Sequence, residues 1–152
     1  MINQRLARFN QTESSALFGA QVFKQTCAVC HLIGGQGMTI GPQLDGAGNR
    51  GAERLIEDIL DPSRNVDPAF RVTLFTLKNG EVESGLIRRE EGETVVVADG
   101  TGKEHSIPKS QITERRQSAL SLMPENLADT IKSEDFNHLI AYLLSTGSKG
   151  AH

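Results

Sequence analysis

Both cysteines of this 152-residue chain fall in one short stretch, TCAVCHLIG (Thr26 to Gly34), two residues apart and followed at once by a histidine. Two thiols and an imidazole packed this tightly have few uses. A redox dithiol belongs at a helix start, after a strand, where the helix dipole lowers the thiol pKa. Here the residues before Cys27 read as a helix, so Cys27 and Cys30 sit at its end and the dipole works the other way. A structural zinc ion wants four N or S ligands. There are no further cysteines, and the remaining histidines, His105, His138 and His152, are scattered. A Cys27–Cys30 disulfide would close a tiny strained loop and contribute little.

The spacing does satisfy one covalent chemistry fully. Two thiols add across the two vinyl groups of a haem, and the following imidazole, His31, takes the iron from the same side. The surroundings strengthen this reading. Gly19, Phe23 and Cys27 recur at four-residue steps, so SSALFGAQVFKQTCAVCH reads as a helix from Ser14 or Ser15 into the motif. A mid-helix glycine costs about 1 kcal/mol against alanine, which close approach of another helix at Gly19 would explain. Downstream, GGQGMTIGPQLDGAGNRG is a glycine-rich loop. A carbonyl near Pro42 is placed to accept from His31 Nδ1–H and so orient the ring.

AERLIEDILDPSRNVDP carries Leu55, Ile56, Ile59 and Leu60 in an amphipathic pattern, stopped at Asp61-Pro62. SEDFNHLIAYLLSTG carries a stripe of Phe136, Leu139, Ile140, Leu143 and Leu144, with Ser133 as expected N-cap and Gly147 as expected C-cap. Tyr142 lies near that stripe and suits packing against Gly19 and Phe23. His138 falls off it and reads as solvent-facing.

An iron held by His31 needs a second axial group or an open site. The candidates are Met1, Met38, Met123, His105, His138 and His152. Met123 is favoured, because Pro124 restricts its backbone to extended conformations and thioether sulfur is a usual sixth ligand in electron carriers. The bland alternative is a methionine filling a core gap. Arg50, Arg54 and Arg71 flank the expected haem loop; any could pair with a propionate, but on sequence alone each reads first as a solvated side chain.

Taken in order, GAQVFKQTCAVCH, IGPQLDG, LMP and LIAYLL resemble the class I cytochrome c fold. The resemblance implies Cys27 and Cys30 as thioether sites, His31 as proximal ligand, Met123 as distal ligand, and one covalent haem c. It covers roughly residues 14–69 and 118–147. The interval from His31 to Met123 is longer than a small cytochrome c needs, and the extra length reads as strands at 70–77, 81–89, 93–98, 103–107 and 111–116. The expected fold is therefore a mainly α cytochrome c core with an inserted small antiparallel β barrel or sandwich over 70–117, α+β overall. An N-terminal extension (1–13) and a C-terminal tail (148–152) complete the chain. DPSRNVDPAFR, NGEVESGLI, IPKSQI and SLMPENL further resemble bacterial haem-binding domains at the C-terminal end of large secreted, dehydrogenase-like proteins, which implies an excised domain.

Composition is that of a globular chain: 38% hydrophobic, 23% charged, formal net charge -3. With no basic patch, nucleic acid is not expected as a partner, and no segment has the length of a membrane span. The resemblance implies single-electron transfer between an oxidoreductase partner or fused dehydrogenase domain and a downstream acceptor. Taken alone, the chain would then not be an enzyme. It further implies a periplasmic or extracellular setting. The competing reading is a small-ligand-binding or peroxidase-like haem protein with a labile sixth site, for which Arg71 and His105 are the available polar groups. A third is a module that docks a partner through its β insertion.

Overall fold

The computed structural model describes residues 2–10 and 13–147. Met1 and His152, both candidate iron ligands, and the tail at 148–152 lie outside the described residues. The chain divides into two units: Met1–Arg64 with Glu125–His152, and Asn65–Pro124.

The first unit is helical. Helix α1 spans Ile2–Arg8 and buries none of its side chains. It falls within the stretch expected as an N-terminal extension (1–13). It is held by Arg5, which donates to Ser133 Oγ and to the Ala128 carbonyl, each at 2.9 Å, with its guanidinium 4.9 Å above the Phe136 ring. Helix α2 (Ala16–Thr26) starts at Ser15, whose hydroxyl accepts from Phe18 N–H, and ends at Cys27. A two-residue hairpin follows, β1 (Leu32–Ile33) and β2 (Gln36–Gly37). Its turn is Gly34-Gly35, at φ 58° and 79°, values that disfavour side chains. Helix α3 (Ala52–Leu60) buries Leu55, Ile56 and Ile59 and stops before Pro62. A short α4 (Leu127–Thr130) precedes α5 (Ser133–Ser145).

Helices α2 and α5 pack against each other at Gly19. A Cβ there would lie 1.9 Å from the His138 carbonyl oxygen and 2.6 Å from Tyr142 Cβ. One turn on, the Phe23 and Tyr142 rings meet at 5.6 Å between centroids. Three local expectations for α5 need correction. Ser133 is its first helical residue, Lys132 is the cap, and Ser133 Oγ is used by Arg5. The C-cap is Thr146, and Gly147 keeps an ordinary negative-φ backbone. His138 is not solvent-facing. Its side chain is 14% exposed, its Nδ1 accepts from Ser15 N–H at 2.9 Å, and it packs on Phe18. The off-stripe position serves a second neighbour, the start of α2.

The second unit is one antiparallel sheet of β3 (Arg71–Leu77), β4 (Val82–Glu91), β5 (Thr94–Ala98), β6 (Glu104–Pro108) and β7 (Ile112–Ser121), in the order β6-β5-β4-β3-β7. Asn79-Gly80 makes the first turn, with Gly80 at φ 86° and Asn79 Oδ1 accepting from Glu81 N–H. The core is Phe75, Val95, Val97 and Ile107. The expectation of a barrel or sandwich is corrected: β6 and β7 end the order without pairing, so the sheet is open. Bulges near Val72, Thr76–Leu77 and Arg88 curl it. The edge strand β6 is five residues long and ends in Pro108, which has no N–H to extend a ladder. Among the described residues no helix is long and apolar enough to cross a membrane.

Candidate haem-binding site

The first helical unit brings Cys27, Cys30, His31 and Pro42 together. As α2 ends, Cys27 N–H donates to the Phe23 carbonyl, and His31 N–H reaches back to the Cys27 carbonyl at 2.9 Å. The motif is thus one more tight turn carried rigidly on α2. Both cysteines are half-buried thiols. Burial, aided by the neighbouring Cys30, pushes the Cys27 thiol up to about 12. That direction is opposite to what a nucleophilic or redox dithiol requires.

His31 has one nitrogen committed. Its Nδ1 lies 2.8 Å from the Pro42 carbonyl oxygen. A carbonyl only accepts, so Nδ1 carries the proton and Nε2 keeps its lone pair. Desolvation lowers the His31 pKa, and the Pro42 bond opposes that only in part, so the ring is neutral, as a metal ligand must be. Glycines make the room. A Cβ at Gly41 would sit 2.7 Å from His31 Cε1 and 3.0 Å from Nδ1, and one at Gly37 would strike the His31 carbonyl oxygen at 1.9 Å.

The Pro42 loop is pinned on both sides. Gly41 N–H donates to the Cys30 carbonyl at 2.7 Å, and Leu44 N–H to the Leu32 carbonyl at 2.8 Å. Asp45 Oδ1 accepts from Gly34 N–H at 2.8 Å, and Asp45 N–H donates to Gln43 Oε1. Sequence reading missed Asp45. The available signal was a carboxylate shortly after a Gly-Gly turn and a Gly-Pro pair.

Other candidates are placed elsewhere. Met123 is half-buried at the end of the second unit, its N–H donating to Ser121 Oγ at 3.1 Å. Met38 is 52% exposed. Arg50 and Arg54 both pair with Asp58, and Arg71 donates to the Val66 carbonyl, so each has a protein partner. His105 lies 3.7 Å from Glu83 in the sheet. Among the described residues no group of three or more His, Cys, Asp or Glu side chains could hold a metal ion alone. The donor set therefore fits haem c: two thiols at thioether spacing, and one neutral imidazole whose remaining lone pair is on Nε2.

The family model described as cytochrome c matches residues 16–86. The matched segment begins at the first residue of α2, includes Cys27, Cys30, His31 and Pro42, and runs on into β4; Met123 and α5 lie beyond it. Proteins of this family normally carry covalently attached haem c and transfer electrons. No curated protein matches the chain.

Proposed function

We propose that this chain, with its cytochrome c domain at residues 16–86, is a monohaem electron carrier that passes single electrons from an oxidoreductase partner or fused dehydrogenase domain to a downstream acceptor. The observation that carries this reading is the 2.8 Å bond between His31 Nδ1 and the Pro42 carbonyl, which fixes the tautomer and leaves on Nε2 the lone pair that a metal would take. Cys27 and Cys30 would hold the haem as thioethers and His31 would be one axial ligand. When bound, haem supplies a one-electron iron couple.

The chain's own residues do the rest. The Pro42 carbonyl raises the basicity of His31 and holds its ring angle. Met123 is proposed as the second axial ligand; Pro124 stiffens its backbone and Ser121 braces it. With His31 and Met123 both holding the iron, the group would exchange electrons without binding a substrate. Covalent attachment requires cytochrome c assembly on the export side of a membrane, so the proposed location is periplasm or cell surface.

The test is the visible spectrum of the haem-loaded protein. A low-spin ferric spectrum with the weak far-red band of thioether-ligated iron, lost in Met123→Ala, supports the carrier. A high-spin ferric spectrum that shifts on adding cyanide would overturn it in favour of a ligand-binding haem protein.

A further inference from the structure

We infer that Asp45 is a positioning residue that sets the geometry of His31 through the Pro42 loop; the inference rests on His31 being an iron ligand. Pro42 is exposed and its carbonyl has to be held in place by its neighbours. On its N-terminal side the hold is backbone to backbone, Gly41 N–H to the Cys30 carbonyl. On its C-terminal side two adjacent bonds tie the loop to the hairpin: Leu44 N–H to the Leu32 carbonyl, and Asp45 Oδ1 to Gly34 N–H. The second of these is made by a side chain, so it is the link a substitution can remove without breaking the chain path.

The donor is well prepared. The left-handed Gly34-Gly35 turn fixes the direction of Gly34 N–H. The acceptor is prepared too, because Asp45 N–H is engaged by Gln43 Oε1 at 2.8 Å, which fixes the backbone that carries the carboxylate. A hydrogen bond to a carboxylate is stronger than one to a neutral acceptor. The carboxylate also lies near enough to α5 to raise the Tyr142 pKa together with burial. One side chain therefore stands among the hairpin turn, the Pro42 loop and the helix that crosses α2.

The experiment uses the haem-loaded protein and follows exchange of the His31 Nδ1 proton by NMR in the reduced state, with the midpoint potential as second readout. Loss of one bond of this size predicts about fivefold faster exchange in Asp45→Ala. The same variant would show a shifted potential as the ring loosens. Asp45→Asn keeps an acceptor oxygen and falls between the two, separating geometry from charge. If Asp45→Ala does not load haem, the step from wild type to Asp45→Asn decides alone. Exchange unchanged in the variant that loads, with His31 ligation intact in the wild type, overturns the inference. A wild type without an exchange-protected His31 ring shifted by the haem ring current overturns the parent reading instead.

Discussion

Gly19→Ala separates two opposed expectations. Helix propensity alone favours alanine by about 1 kcal/mol within α2. Packing says the reverse. The added Cβ would lie 1.9 Å from the His138 carbonyl oxygen, against a floor of 3.0 Å that real Cβ atoms respect, so α2 and α5 must part by about 1 Å. The obstacle is backbone and cannot rotate aside. Gaps of that size forfeit a quarter to a half of each dispersion contact along a seam that includes Phe23 on Tyr142 and Phe18 on His138. Overpacking of this kind costs up to about 3 kcal/mol, and subtracting the propensity gain leaves a net loss of about 2 kcal/mol. For a chain this long that is a fall in Tm of roughly 4–8 °C. Thermal unfolding followed by circular dichroism measures it, with Gln21→Ala, exposed on the same helix, as control. A Gly19→Ala protein as stable as wild type, or more so, would show that the two helices do not meet at this position.

Arg5→Ala removes two side-chain hydrogen bonds and the approach to Phe136; a loss of about 1–2 kcal/mol is expected, read as faster amide exchange confined to α1, and unchanged exchange would refute the anchoring role. In the haem-free chain, burial raises Cys27 from 9.0 to about 12, so the folded state holds that proton more tightly than the unfolded state. Its contribution is full below pH 9 and is lost as pH rises toward about 12. His31 works the other way, its lowered pKa removing stability as pH falls below its ordinary value of 6.5. Urea midpoints across pH check both slopes, and a midpoint that rises between pH 9 and 12 would contradict the Cys27 assignment.

Much of this architecture is readable from residues because it is written in short-range patterns. The Gly19–Phe23–Cys27 spacing, the α5 stripe and the alternating strands each depend on a local period, and Asn79-Gly80 on a local turn preference. What escaped depends on partners distant in sequence. Helix α1 buries nothing, so it has no stripe to read, and its anchors are distant in sequence: Arg5 reaching Ser133, and the Arg8 carbonyl accepting from Asn137 Nδ2. His138 reads as solvent-facing from the α5 stripe alone, while the start of α2 covers that flank of the helix. Sheet closure is decided by whether β6 and β7 meet, which no strand's own alternation encodes. At the site, the histidine and its carbonyl were legible from spacing, whereas Asp45 was not, since an exposed aspartate in a glycine-rich loop looks like ordinary solubility.

Strand β5 gives the second unit a weak point in misfolding. Val95, Val96, Val97 and Ala98 are all at most 3% exposed, so this strand has no polar face to show water. An uncharged, β-branched run without proline is the kind of segment that seeds stacked strands between chains. One of its flanks is guarded by β6 alone, a short edge whose Glu104 and terminal Pro108 discourage further pairing. Peeling β6 away would open β5's ladder to another molecule. The balance between soluble protein and aggregate in this unit therefore depends on five residues at its rim more than on the core they cover.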